Sequence, residues 1–112
     1  MTTLKYAILD NDDSTAFLLS CILERIGQFS IEIFSSPKRL LNSVKLEKPD
    51  LIFCNVTTRD CDPRELLAAE INIPLIFISV LSPAEERRKC YIHSGFPYIT
   101  SPLRVDTIAS YL

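Results

Sequence analysis

The run Asp50-Leu51-Ile52-Phe53-Cys54-Asn55-Val56-Thr57 constrains this chain more than any other stretch. It is apolar through its middle, opened by Pro49-Asp50 and closed by polar residues. A short continuous apolar run of this kind reads as a strand buried on both faces. The residues from Asn55 to Asp62 then emerge where a parallel sheet presents its functional edge. A second polar cluster, Asp10-Asn11-Asp12-Asp13, follows an earlier strand, Tyr6 to Leu9. Two strands that deliver polar clusters to one edge define a candidate site. Two of its key positions, Asn11 and Asn55, are amides.

Taken in order, the chain alternates strands and helices. Asp12 or Asp13 caps a helix that runs to about Ile26 and stops at Gly27, with Thr15, Leu18, Leu19, Ile22, Leu23 and Ile26 as its expected inner stripe. Ile31 to Phe34 alternates around Glu32 as an edge strand does. Ser36-Pro37 is a cap followed by proline at the first helical position, and Leu40, Leu41 and Val44 mark the second helix. Asp62-Pro63-Arg64-Glu65 opens a short third helix in the same way. Pro74 to Val80 is a second fully buried strand. Ser82-Pro83-Ala84-Glu85 starts a fourth helix that reaches Ser94 before Gly95, and Tyr98-Ile99-Thr100 is a short last strand. Val105, Ile108, Ala109 and Leu112 share one face of a fifth helix. Five strand–helix units without repeats or linkers predict a single domain over residues 1–112, a parallel α/β sheet with helices on both faces.

Composition excludes several classes. The 112 residues suffice for one unstapled core, and a net charge of −2 offers no attraction to nucleic acid or membrane surfaces. No apolar run approaches the roughly 18 residues of a membrane span, and the N-terminus lacks signal-peptide features, so a cytoplasmic address is expected. Cys21, Cys54, Cys61 and Cys90 form no CxxC pair and read as reduced packing thiols. With His93 as the one histidine, no zinc site is expected. There is no Gly-rich phosphate loop and no nucleophile elbow, so enzymatic activity is not expected.

Four segments together resemble the receiver domain of two-component response regulators: Ile8-Leu9-Asp10-Asn11-Asp12, Pro49 to Val56, Ile73 to Ser79, and Ser94-Gly95 through Tyr98-Ile99-Thr100-Ser101-Pro102-Leu103. The resemblance covers nearly the whole chain. It implies a flavodoxin-like three-layer sandwich, a five-stranded parallel sheet in the order 2-1-3-4-5 with five helices, and a site over strands 1 and 3. In such receivers two acidic residues after the first strand and an aspartate ending the third hold Mg²⁺, and that aspartate accepts a phosphoryl group. A Ser or Thr ending the fourth strand and a Lys before proline after the fifth contact the phosphoryl oxygens. Here Asp10 and Ser79 match, whereas Asn11, Asn55 and Ser101 depart from the pattern. Tyr98 occupies the switch-aromatic position, although it would equally serve to cover the sheet edge. The resemblance also implies a cis peptide before Pro102.

Those departures have one physical direction. An amide oxygen is a far poorer nucleophile than a carboxylate, and Mg²⁺ is usually held through carboxylates plus phosphate. A buried lysine without anionic company would be left uncompensated, so its loss at position 101 accompanies the loss of the carboxylates. Asp10, Asn11, Asn55, Ser79 and Ser101 therefore read as a degenerate phosphorylation site, with no cofactor and no metal expected. The leading functional expectation is a pseudo-receiver that signals by protein contact, with self-association through the fourth helix, fifth strand and fifth helix. A phosphorelay receiver with an acceptor displaced to Asp60, or with residual metal binding, is the alternative. A small-ligand sensor at the same crevice is a third class. Asp12, Asp13, Asp60 and Asp62 read as caps and loop residues, and Glu85 to Lys89 as a solvated helix face.

Overall fold

The computed structural model describes residues 3–56, 63–79, 91–100 and 102–112. Its elements are β1 (Lys5–Leu9), α1 (Asp13–Ile26), β2 (Ser30–Phe34), α2 (Pro37–Leu46), β3 (Leu51–Asn55), α3 (Arg64–Ala68), β4 (Leu75–Ser79), β5 (Tyr98–Thr100) and α4 (Val105–Ala109). The expected fourth helix falls largely on residues 80–90, outside the described residues. Its end is helical at Tyr91 and Ile92, so the fifth expected helix is the one labelled α4.

All four strand pairings are parallel, in the order β2-β1-β3-β4-β5. This is the flavodoxin-like arrangement, whose ligand edge lies over the carboxyl ends of the strands. Successive strand residues point to opposite faces, and the core divides accordingly. Ala7, Leu9, Ile52, Cys54, Leu75 and Phe77 pack with Leu40 and Val44 of α2, Leu66 of α3 and Tyr91. Tyr6, Ile8, Phe53, Ile76, Ile78 and Ile99 pack with Leu19, Ile22 and Leu23 of α1 and Ile108 of α4. Leu23 and Leu40 are fully enclosed, and each such side chain contributes about 1.5–3 kcal/mol relative to exposure.

The strand starts are pinned by polar contacts. The Lys5 N–H donates to Asp50 Oδ2 at 2.8 Å, and the Asp50 N–H donates back to the Lys5 carbonyl at 2.7 Å. The Lys5 ammonium also reaches Glu32 at 3.4 Å and Glu47 at 3.5 Å. These contacts tie β1 to β3 and to the edge strand, where Glu32 lies in the middle of β2.

Two packing expectations are corrected. In α1, Leu18 is 47% exposed and Phe17 70%, while Ala16 is buried in its place. Phe17, Leu18 and Leu19 are consecutive apolar residues, so spacing alone did not fix which side of the helix faces the sheet. In α4, Ile108 is buried, but Val105 and Ala109 are exposed, and the helix ends at Ala109, so the exposed Leu112 lies beyond it. Helix termination agrees with expectation: the Gly27 N–H bonds to the Leu23 carbonyl, with extended backbone at the glycine. Gly95 has φ +89°, a left-handed turn that glycine adopts without strain. Cys21 is a free thiol and Cys54 is buried in the core; Cys61 and Cys90 lie outside the described residues.

Candidate functional site

The β1–β3 register pairs Leu9 with Cys54, so the next residues, Asp10 and Asn55, meet at the carboxyl end of the sheet. Both are nearly enclosed, each at 4% exposure. The Asn55 amide donates from Nδ2 to Asp10 Oδ2 at 3.1 Å. The other carboxylate oxygen, Oδ1, accepts the Asp12 N–H at 2.8 Å. The Asp10 N–H is held by the Phe34 carbonyl at 2.9 Å, which extends the β1–β2 ladder into the site.

Asp12 is the cap of α1. Its Oδ1 accepts the N–H groups of Ser14 at 2.9 Å and Thr15 at 3.2 Å, satisfying two of the helix's orphan donors. Its backbone and side chain thus do separate work, one on Asp10 and one on the helix. That division could not be read from the sequence, which offered Asp12 or Asp13 for the cap.

The Asp10 carboxyl is raised above its ordinary value. Burial is the largest cause; the hydrogen bonds from Asp12 and Asn55 oppose it, and the nearby Asp12 and Asp13 charges add to it. A buried carboxylate with two donors is tolerated, but its charge is still penalised by desolvation.

Ser79, 3% exposed, ends β4, and the neighbouring register pairs Asn55 with Ile78. Asp10, Asn55 and Ser79 therefore end three adjacent strands at one edge. Asn11 is solvent-exposed. Ser101 lies outside the described residues, as do the peptide bond before Pro102 and the loop carboxylates Asp60 and Asp62. Tyr98 starts β5 half-buried and packs with Phe77 and Tyr91 against the α2–α3 side of the sheet. Its hydroxyl is enclosed and has no hydrogen-bond partner among the described residues.

The donor set fits Mg²⁺ poorly. Asp10 has both oxygens engaged by protein donors, and Asn55 turns an N–H rather than an oxygen toward it. Among the described residues no three His, Cys, Asp or Glu side chains gather as a metal set. Among the same residues, no helix is long and apolar enough to cross a membrane.

No protein-family model and no curated protein matches the sequence. Solved structures do. The chain is similar to the signal receiver domain of a modulated diguanylate cyclase from Desulfovibrio desulfuricans, with TM-score 0.81 and 21% identity over 97% of this chain and 90% of that one. It is similar to the receiver domain of a signal transduction histidine kinase from Syntrophus aciditrophicus, with TM-score 0.77 and 23% identity over 97% and 86%. A CheY-like receiver domain protein from Methanospirillum hungatei matches with TM-score 0.79 and 19% identity over 98% and 90%. At these identities the likeness establishes the fold.

Proposed function

We propose that this chain is a receiver-type signalling module that works without phosphorylation and without catalysis, by contact with other protein surfaces. The receiver fold of its structural neighbours supports a place in two-component-type signalling. The observation that carries the reading is the Asn55–Asp10 hydrogen bond. At the position where the resemblance puts a nucleophilic carboxylate, an enclosed amide donates a hydrogen bond to the remaining acid. That arrangement needs neither metal nor phosphoryl group to be satisfied, and an amide does not form an acyl phosphate.

The contact surface we assign is the fourth helix–β5–α4 side, used for self-association. Val105 and Ala109 are exposed on α4, Leu112 is exposed beyond its end, and Ile92 is 43% exposed at the end of the preceding helix. Exposed apolar positions grouped in this way suit an isologous dimer, in which one surface patch is self-complementary. Sedimentation equilibrium of the chain, with and without acetyl phosphate and Mg²⁺, tests the reading. The expected result is a dimer unchanged by either reagent and dissociated by Val105→Glu with Ala109→Glu. A monomer that dimerises only after phosphorylation overturns it and favours the phosphorelay alternative.

A further inference from the structure

The two edges of the sheet are built differently. β5 is three residues long, whereas β2 pairs with β1 over five residues without a bulge. Edge strands are usually blunted by shortness, proline, lysine or a bulge, because their open backbone groups are a template for another strand. Ser30-Ile31-Glu32-Ile33-Phe34 carries no proline or lysine, and Glu32 is its one charge. The phase of its backbone is fixed at both ends. The Ser30 N–H donates to the Leu4 carbonyl, and the Phe34 carbonyl accepts the Asp10 N–H, each at 2.9 Å. In a parallel ladder the residues that bond one neighbour alternate along the strand, so Ser30, Glu32 and Phe34 bond β1. The N–H and C=O groups of Ile31 and Ile33 therefore point away from the sheet, and among the described residues no strand pairs with them. Ile33 is 47% exposed beside Ile8, on the α1 side. Glu32 projects from the other face with its side chain 49% exposed, and it shares the Lys5 ammonium with Glu47, so carboxylates outnumber ammonium groups there.

We infer that the β2 edge accepts an extended peptide segment of a partner protein as an added strand, with apolar residues opposite Ile31 and Ile33 and a basic residue opposite Glu32. The backbone selects the shape. A strand satisfies the outward N–H and C=O groups in register, as in other cases of strand addition, where main-chain bonds give affinity and alternate side chains give specificity. The side chains select the sequence. Strand residues alternate between faces, so the segment's apolar residues cover the exposed Ile33, and the residue between them meets the acidic face at Glu32. A second copy of this chain fits less well. Pairing all five β2 residues with their counterparts, in either direction, sets Glu32 against Glu32, and like charges directly opposite are destabilising. The inference depends on the β2 edge alone and stands independently of the function proposed above.

The test is titration of the full chain with the capped peptide Ser-Thr-Val-Arg-Val-Thr-Ser, read by amide hydrogen exchange at single residues. The peptide is expected to slow exchange saturably at Ile31 and Ile33, whose N–H groups face outward. Ser30, whose N–H is already bonded to Leu4, should change little and serves as the internal control. A peptide with Glu in place of Arg should bind about two- to fivefold more weakly, the range one exposed ion pair supports. The Glu32→Gln variant should erase most of that difference while still binding both peptides. A peptide N-methylated through its Val-Arg-Val core should not bind, because it lacks the main-chain donors. Absence of saturable protection at Ile31 and Ile33 overturns the inference. So does equal binding by the Arg and Glu peptides, or by the N-methylated one. Protection that rises with protein concentration in the absence of peptide also overturns it, assigning the edge to a second copy.

Discussion

Asn55 Nδ2 lies 3.1 Å from Asp10 Oδ2, so a side-chain amide faces the buried acid of this edge. The pair shares a desolvated pocket at the ends of β1 and β3. Replacing either member changes how much charge is buried there, and this gives the stability of the chain a specific dependence on Asp10.

Asp10→Asn should stabilise the protein at neutral pH. Burial raises the Asp10 carboxyl above its ordinary value. Between the unfolded and folded values the native state therefore binds more protons than the unfolded state, and stability falls as pH rises through that window. The Asn variant removes this proton-linked loss. Urea unfolding across acidic to neutral pH should show the variant gaining on the parent as pH rises. Equal pH dependence in the two proteins contradicts the assignment.

Asn55→Asp should have the opposite effect. It sets a second carboxylate against Asp10 where the amide donor had been, and like charges in one pocket disfavour joint ionisation. Measured in EDTA at neutral pH, the variant should lose about 1–3 kcal/mol, the cost of leaving a buried polar group without its partner. The deficit should shrink on acidification as one carboxyl takes up a proton. A variant as stable as the parent at neutral pH would show that the Asn55 amide contributes nothing to holding Asp10.

Asp12→Ala should cost about 1 kcal/mol through loss of the α1 cap, and Asp12→Ser should recover most of it. Chemical denaturation of the two variants checks this. Both variants keep the Asp12 N–H on Asp10 and remove the same charge beside it, so the difference between them isolates the cap.

In the core, Leu40→Ala should cost about 2–5 kcal/mol, because its side chain is fully enclosed between α2 and the sheet. Phe17→Ser, at a position 70% exposed, should stay within about 0.5 kcal/mol of the parent. The contrast checks the observed rotation of α1, in which Ala16 rather than its larger neighbours faces the sheet.

The sheet was legible because its inner strands are short continuous apolar runs, and runs such as Leu51 to Cys54 have few other places to go. Caps were legible where a single residue type does the work: Ser36 accepts the Arg39 N–H at 3.2 Å ahead of Pro37. The facing of α1 and α4 was not, since Leu18 and Val105 satisfy helical spacing as well as the residues actually buried. The placement of Asp10, Asn55 and Ser79 at strand ends on one edge was legible. Their contact was not, because it depends on the pairing of Leu9 with Cys54, which brings together residues 45 positions apart. The left-handed backbone at Asn72 suits its residue type, but at Glu70 nothing in the sequence announces it.

The measurement that bears most directly on the central claim is intact mass after incubation with acetyl phosphate and Mg²⁺, for the parent and for Asn55→Asp. The account predicts that the parent stays at its unmodified mass, because no carboxylate stands at position 55. It further predicts that the single revertant labels inefficiently, because Asn11 and Ser101 still lack the charges that the resemblance assigns to those positions. A parent protein carrying one phosphoryl group, at Asp60 or any other carboxylate, would contradict the account outright. Stable and efficient labelling of Asn55→Asp would contradict the claim that the three positions lost their chemistry together.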